Sequence, residues 1–310
     1  MFSITAVECK PMATPTSRPF LAIALVLLSI TGFDLMAVIV KVLTSRGYSP
    51  VELSTYRNIF GMLPPIALML FLGELKLERR FLVLKKWRMA LFRGLMVALA
   101  QLAFYTSLSL MELATIATLA QSSALFVVIM SVLFFRERVG LWRSGAVILG
   151  FIGVVLVLRP GSDTFTVLAL LPIVAAACYG FSMVSVRFFT DGESNGLLLL
   201  YSSVASILAS VVMVLASTGF SPVGSAEDAG LVLLMSMVGG VSVLTLMVAY
   251  RMAEGSTLAP FVFVSILTSL FFGWLFFGEL PVTALFPGVI LIVGAGGLIL
   301  WRERVKAREK

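Results

Sequence analysis

Residues 20–43 read FLAIALVLLSITGFDLMAVIVKVL, and this stretch decides the class of the protein. A helix over these residues rises about 1.5 Å per residue, so it can cross the roughly 30 Å hydrocarbon core of a bilayer. One carboxylate, Asp34, lies inside the run, roughly 15 Å from its C-terminal end. The stretch therefore predicts a membrane-spanning helix that carries an acid at depth.

The composition extends this prediction to the whole chain. Of its 310 residues, 60% are hydrophobic and only 13% are charged, and the mean hydropathy is +1.07. Soluble domains hold roughly 45–50% apolar and about 25% charged residues. We predict an all-α integral membrane protein with ten transmembrane helices. The predicted spans are 20–43, 51–73, 88–110, 114–135, 140–158, 166–189, 195–218, 228–250, 256–278 and 281–301.

The basic residues predict an orientation. Most Lys and Arg fall in alternate connecting segments and in the two ends of the chain. The opposite side keeps Lys41, Arg46, Arg57 and Arg159. By the positive-inside rule both termini are cytoplasmic, and we place the chain in the plasma (inner) membrane. The net charge of +7 is then a feature of topology, and we expect the bilayer as partner and no nucleic acid.

The sequence also repeats itself. LFFRERV at 133–139 returns as LFFGELP at 275–281, an offset of 142, and Lys41 falls on Arg187 at an offset of 146. We infer a duplicated five-span unit, and because five is odd the second copy enters the membrane from the other side. Two inverted repeats are typical of transporters with a site near the midplane. The predicted divisions are 1–19 (N-terminal segment), 20–158 (repeat 1), 166–301 (repeat 2) and 302–310 (basic tail).

These features resemble a known family. Each half has a basic residue near the end of its first helix (Lys41, Arg187), an FF-x-E after its fourth (Glu137, Glu279) and a Gly-rich fifth helix. In this the chain is similar to EamA-type carriers of the drug/metabolite transporter superfamily. The resemblance implies ten helices and transport of small metabolites. Relatives export amino acids, metabolites or drugs, and some take up or exchange nucleotide-derived metabolites.

Asp34 is the first candidate for a functional site. A central Asp costs about 2.5–3.5 kcal/mol in a membrane helix, so it should face the bundle interior and have a partner. Arg57 lies at a similar depth in span two, and Lys41 lies two turns away on the same face. One interpretation is a buried Asp34–Arg57 pair that fixes helix packing. The other is a cavity carboxylate that binds a substrate ammonium or, since the chain has no histidine, carries a coupling proton.

Further polar residues lie at mid-depth in other spans. Gln101 and Tyr105 share one face of span three, Gln121 lies in span four, and Tyr179 and Ser182 lie in span six. Each could line a cavity or only join neighbouring helices. The predicted substrate-binding set is Asp34, Arg57, Gln101, Tyr105, Gln121, Tyr179 and Ser182, with Asp34 as the proton-coupling residue.

Other function classes fit less well. The sequence has no histidine, HExxH, G-x-S-x-G or P-loop, so we predict no enzyme, no catalytic or metal site and no cofactor. A channel would show a ring of matched polar residues, which an unduplicated Asp34 does not supply. We predict a secondary carrier that exports amino acids or related compounds by alternating access. The alternative is uptake or exchange of a nucleotide-derived metabolite or vitamin. We also consider a homodimer as the assembly.

Overall fold

The structure is a computed structural model, and it describes residues 19–71, 84, 86–136, 141–158, 167–189, 195–217, 219–222, 224–252, 258, 261–281 and 285–308. Residues 1–18 of the predicted N-terminal segment, Glu137 and the last residues of the predicted tail lie outside this part. The described helices are α1 (Pro19–Ser45), α2 (Pro50–Gly61), α3 (Leu63–Phe71), α4 (Trp87–Leu108), α5 (Leu113–Ala120), α6 (Ser123–Phe135), α7 (Leu141–Leu158), α8 (Leu171–Ser185), α9 (Asn195–Ala216), α10 (Ala226–Met252), α11 (Val264–Phe277) and α12 (Gly288–Arg308).

Many of these helices are long enough to span a membrane. Within the described residues, six helical segments are long and apolar enough to cross a bilayer. They are Phe20–Ser45, Trp87–Leu108, Leu113–Phe135, Val167–Ser185, Leu198–Ala216 and Ala226–Tyr250. Three shorter apolar helices accompany them: Ser144–Leu158, Val264–Phe277 and Gly288–Ile299. The all-helical membrane class is confirmed, and the count of ten spans stays a prediction.

Three spans that the sequence predicted as continuous are interrupted. In span 51–73 the break falls at Met62, just before Pro64 and Pro65, because proline in the next turn removes a main-chain donor and clashes with the preceding turn. In span 114–135 the break falls at Gln121 and Ser122, and in span 256–278 a turn falls at Phe263. Breaks at membrane depth require protein or a cavity around them, since lipid cannot satisfy freed backbone groups.

The fourth helices of the two predicted repeats end alike. α6 ends at Arg136 and α11 ends at Gly278, which are 142 residues apart, and both residues are left-handed, with φ of 51° and 67°. A left-handed residue after the last turn is a common helix end and favours glycine. Arg136 therefore keeps a glycine-like conformation without glycine, at the position where the other copy has one.

The helices pack in matched pairs that cross between the predicted repeats. α1 and α2 pack on α10, while α8 and α9 pack on α4. α1 also contacts α11, as α8 contacts α6, and α7 packs on α12. A large apolar cluster surrounds the C-terminal half of α1 and includes Val40 and Leu43, both fully buried. The core is thus built where helices of one half meet those of the other.

Two of these crossings depend on glycine. A Cβ on Gly94 of α4 would lie 2.2 Å from the carbonyl oxygen of Ser202 on α9. A Cβ on Gly240 of α10 would lie 2.4 Å from the carbonyl oxygen of Gly61 on α2. Small residues at such points let membrane helices approach closely. The two glycines are 146 residues apart, the same offset as Lys41 and Arg187.

The Gly94 crossing gives a stability prediction. We expect Gly94→Ala to lower the free energy of unfolding by about 1–3 kcal/mol, because its methyl group overlaps main-chain atoms that cannot rotate away. Thermal melting of the purified protein in detergent measures the change. Gly145→Ala is the matched control, since a Cβ there has no neighbour within 4 Å and alanine favours the helix. Equal melting temperatures for the two variants would contradict the close crossing.

Candidate functional site

Asp34 lies near the middle of α1 and is buried, with 7% of its surface exposed. Its two carboxylate oxygens accept hydrogen bonds from α11. The Ser265 hydroxyl donates to Oδ1 over 3.0 Å, and the Thr268 hydroxyl donates to Oδ2. Ser265 and Thr268 are three residues apart and therefore lie on one face of α11. The acid is held by neutral hydroxyls, which leaves its charge uncompensated by any cation of the described residues.

The two cations that the sequence offered as partners for Asp34 lie elsewhere. Lys41 forms an ion pair with Glu279 and donates a 2.9 Å hydrogen bond to the carbonyl of Met111. Glu279 also accepts from the main-chain N–H of Leu113, over 3.0 Å. An Asp34–Arg57 pair is absent from the ion pairs of the described residues. The packing interpretation of Asp34, which required that pair, therefore loses its basis.

Arg57 reaches from α2 toward the middle of the bundle. Its Nε is buried and has no hydrogen-bond partner. A Cβ on Gly239 of α10 would lie 3.5 Å from this Nε and 2.6 Å from the sulfur of Met36 on α1. Tyr105 on α4 and Tyr179 on α8 lie within range of the Arg57 charge. Arg57 thus lies near residues of four other helices, two from each predicted repeat.

The remaining predicted residues contact different parts of the bundle. The Tyr105 hydroxyl contacts the Met36 sulfur at 3.6 Å, and Gln101, one turn away, is buried with its Oε1 unpaired. Gln121 donates a 3.3 Å hydrogen bond to the carbonyl of Val262, so the breaks in the two fourth spans face each other. Ser182 is buried, and its carbonyl accepts a 3.2 Å hydrogen bond from an arginine of α4.

The position that matches Asp34 in the second half has a different residue and different packing. At an offset of 146, Gly180 of α8 takes its place. A Cβ there would lie 2.9 Å from Cβ of Phe126 and 3.2 Å from the carbonyl oxygen of Ser123, both on α6. Where α1 places an acid against hydroxyls, its counterpart packs directly against the neighbouring helix. The carboxylate is therefore a feature of one half only.

Comparison with known proteins agrees with a transport architecture. Residues 20–159 match the family model described as "EamA-like transporter family". The riboflavin transporter of Brucella anthropi is 30% identical over 61% of this chain and 67% of its own. The chain belongs to the EamA-like transporter family. It is a membrane transporter of the drug/metabolite transporter superfamily and not an enzyme.

Two further relatives differ in what they are named for. The S-adenosylmethionine uptake transporter of Rickettsia bellii is 25% identical over 92% of this chain and 94% of its own. The pseudopaline exporter of Pseudomonas aeruginosa is 24% identical over 67% of this chain and 72% of its own. Membership of the family therefore establishes a small-molecule substrate and leaves its identity and direction of transport open.

A second group of contacts, which we call the latch, joins the halves of this EamA-like protein where α1 ends. It consists of the Lys41–Glu279 pair and of Arg46, which binds Asp228 at 2.7 Å and Glu227 at 2.8 Å. Hydrogen bonds to Glu227 and then Asp228 raise the pKa of Arg46 above its ordinary value. The sequence marked Lys41 and Glu279 as repeated positions but gave no signal that they pair, because 238 residues separate them.

The latch gives a second stability prediction. Glu279→Gln leaves the shielded Lys41 ammonium without its counter-ion, so we expect the free energy of unfolding to fall by about 3 kcal/mol. Glu227→Gln is the matched control, because that side chain is 70% exposed and such pairs contribute less than about 1 kcal/mol. Thermal melting compares the two. Equal shifts would show that Lys41–Glu279 behaves as a surface pair.

Proposed function

We propose that the protein is a secondary carrier that takes up or exchanges a small metabolite, of the vitamin or nucleotide-derived class, by alternating access. The observation that carries the proposal is the pair of ionisable side chains, Asp34 and Arg57, placed inside the helix bundle with no ion-pair partner among the described residues. Ionisable groups at membrane depth are costly and typically mark substrate or ion pathways. The absence of a P-loop in the sequence favours a gradient as the energy source.

Inverted repeats over residues 20–158 and 166–301 are part of this proposal. They are supported by the left-handed helix ends at Arg136 and Gly278, and by the glycine crossings at Gly94 and Gly240. The matched packing of α1 and α2 on α10, and of α8 and α9 on α4, supports them further. We propose ten spans in all, with residues 302–310 as a basic cytoplasmic tail. Such repeats typically place the substrate between the halves.

The latch suggests how access alternates. It joins the halves at the end of the bundle where α1 ends, through the Lys41–Glu279 pair and the contacts of Arg46. Opening at this end requires these ion pairs to separate. The positive-inside rule places this end on the outside and both termini in the cytoplasm of a plasma-membrane protein. The substrate would then exchange with the cytoplasm while the latch is closed. A homodimer remains our proposal for the assembly.

The site we propose comprises Asp34, Arg57, Gln101, Tyr105, Gln121, Tyr179 and Ser182. Asp34 is the proton-coupling residue in this proposal. Its only polar partners among the described residues are the hydroxyls of Ser265 and Thr268, which can donate to the carboxylate or accept from the acid. Neither state needs a rearrangement of charged neighbours. The glycine at its counterpart position fits a site that needs one acid only.

The relatives' names favour uptake or exchange over amino-acid export. Those named for riboflavin and S-adenosylmethionine match this chain at 30% and 25% identity, and the second aligns over nearly its full length. Export is the second candidate, because the pseudopaline exporter also aligns over 67% of the chain. Proteoliposomes loaded on either side with labelled riboflavin or S-adenosylmethionine separate the two directions.

Asp34→Asn is the direct test of the proposed coupling. We expect it to abolish proton-driven transport in proteoliposomes, because an amide cannot take up and release the proton. Expression, membrane insertion and melting temperature should change little, since the Asn oxygen still accepts from one hydroxyl and its NH2 group can donate to the oxygen of the other. Glu112→Gln serves as the control, because it removes an acid at the start of α5 that accepts a 3.4 Å hydrogen bond from Thr115 and is outside the latch. Full transport by Asp34→Asn at every pH tested would overturn the role of Asp34.

A further inference from the structure

We propose that Arg57 is the recognition site for an anionic group of the cargo, a carboxylate or a phosphate. This inference rests on the proposed carrier function and adds the chemical class of the substrate. The proposed centre consists of Arg57, Tyr105 and Tyr179. Met36 and Gly239 lie beside it.

The position of Arg57 is the first step of the argument. Its guanidinium lies beside residues of α1 and α10 and interacts electrostatically with residues of α4 and α8. Tyr105 belongs to the first predicted repeat and Tyr179 to the second. A ligand held by this centre would contact both halves at once. That is the arrangement that alternating access requires of a substrate site.

Gly239 makes room for the Met36 sulfur beside the guanidinium. A methyl group at this position would overlap that sulfur, at 2.6 Å, and would meet Nε of Arg57 at an ordinary contact distance of 3.5 Å. Because Gly239 has no side chain, the Arg57 guanidinium and the Met36 thioether lie side by side against the backbone of α10. A planar guanidinium can bind a carboxylate or a phosphate with two parallel hydrogen bonds.

The charge of Arg57 is the second step. An arginine at membrane depth is costly unless it pairs with an acid or with carbonyl groups. None of the ion pairs of the described residues includes Arg57, and its buried Nε has no acceptor. Tyr56 and Tyr201 match at an offset of 145, which gives Ser202 as the counterpart of Arg57. The Ser202 hydroxyl donates to the carbonyl of Ala90 over 3.2 Å. The unpaired cation is thus confined to one half.

Asp34 does not neutralise this cation. Met36 faces Arg57 and Gly239, while Asp34, two residues earlier, faces α11. Residues two apart on a helix point about 200° from each other, so these two side chains leave α1 on nearly opposite sides. The hydroxyls of Tyr105 and Tyr179 lie within range of the Arg57 charge and can donate to the same anion. The centre offers several donors and a positive charge, which is the chemistry that recognises an oxyanion.

The test compares ligands that differ only in an anionic group. The pairs are riboflavin 5′-phosphate against riboflavin, S-adenosylmethionine against its decarboxylated form, and adenosine 5′-phosphate against adenosine. Ligand-induced thermal stabilisation gives apparent affinities for the full-length protein in detergent. In at least one pair we expect the anionic member to bind about tenfold tighter or more, as a charged hydrogen-bonded contact provides.

Variants at Arg57 assign the preference to this residue. Arg57→Gln should remove the preference for the anionic member, and Arg57→Lys should keep part of it, because lysine retains the charge without the planar fork. Arg93→Gln is the matched control: it removes a partly buried arginine that already donates to the main chain of Ser182, and the preference should persist. If Arg57→Gln fails to fold, Arg57→Lys and the wild-type ligand pairs still decide the question.

The outcomes separate the two proposals. Equal transport of the neutral and the anionic member in every pair that is carried overturns the anion site and leaves the carrier function standing. A preference that survives in folded Arg57→Gln also overturns it. A protein that binds none of the six probes and moves none across proteoliposomes contradicts the carrier function for this substrate class, and the anion site falls with it.

Discussion

The cost of placing charge in hydrocarbon governs this structure. Each charged group inside the bundle must be paired, hydrogen-bonded or exposed to water, because lipid offers no compensation. Lys41 meets the condition with Glu279 and a main-chain carbonyl, and Asp34 meets it in part with two hydroxyls. Arg57 meets it least. The three side chains thus differ in how far their charge is compensated. Lys41 is fully paired and holds helices together, whereas Arg57 is unpaired among the described residues and is suited to binding a ligand.

Matched geometry and unmatched chemistry coexist in the two halves. Helix ends, glycine crossings and packing partners recur at offsets of 142 and 146 residues, whereas Asp34 and Arg57 have Gly180 and Ser202 as counterparts. In the proposed mechanism, repetition of the scaffold preserves the surfaces on which the halves would rock against each other. Loss of repetition at Asp34 and Arg57 would let the proposed site hold a group of defined polarity. A symmetric site would present two acids or two bases to the same cargo.

The all-helical membrane class and the burial of Asp34 could be predicted from the sequence, because hydropathy and charge are local properties. The helix breaks divide into two kinds. The break at Met62 could be expected from Pro64 and Pro65, whereas Gln121 has no proline or glycine beside it. Its break depends on the contact with Val262, and such a contact between distant residues leaves no local pattern. The Lys41–Glu279 ion pair could not be predicted from the sequence for the same reason.

The crossings at Gly94 and Gly240 bear on how the protein is made. α10 closes against α1 and α2, and α9 against α4, so the grooves lined by these glycines are filled only by partners from the other half of the chain. Because α10 follows α1 and α2 in the chain, these contacts can form only after α10 has been inserted into the membrane. The helices of the first half therefore cannot complete their packing during their own insertion.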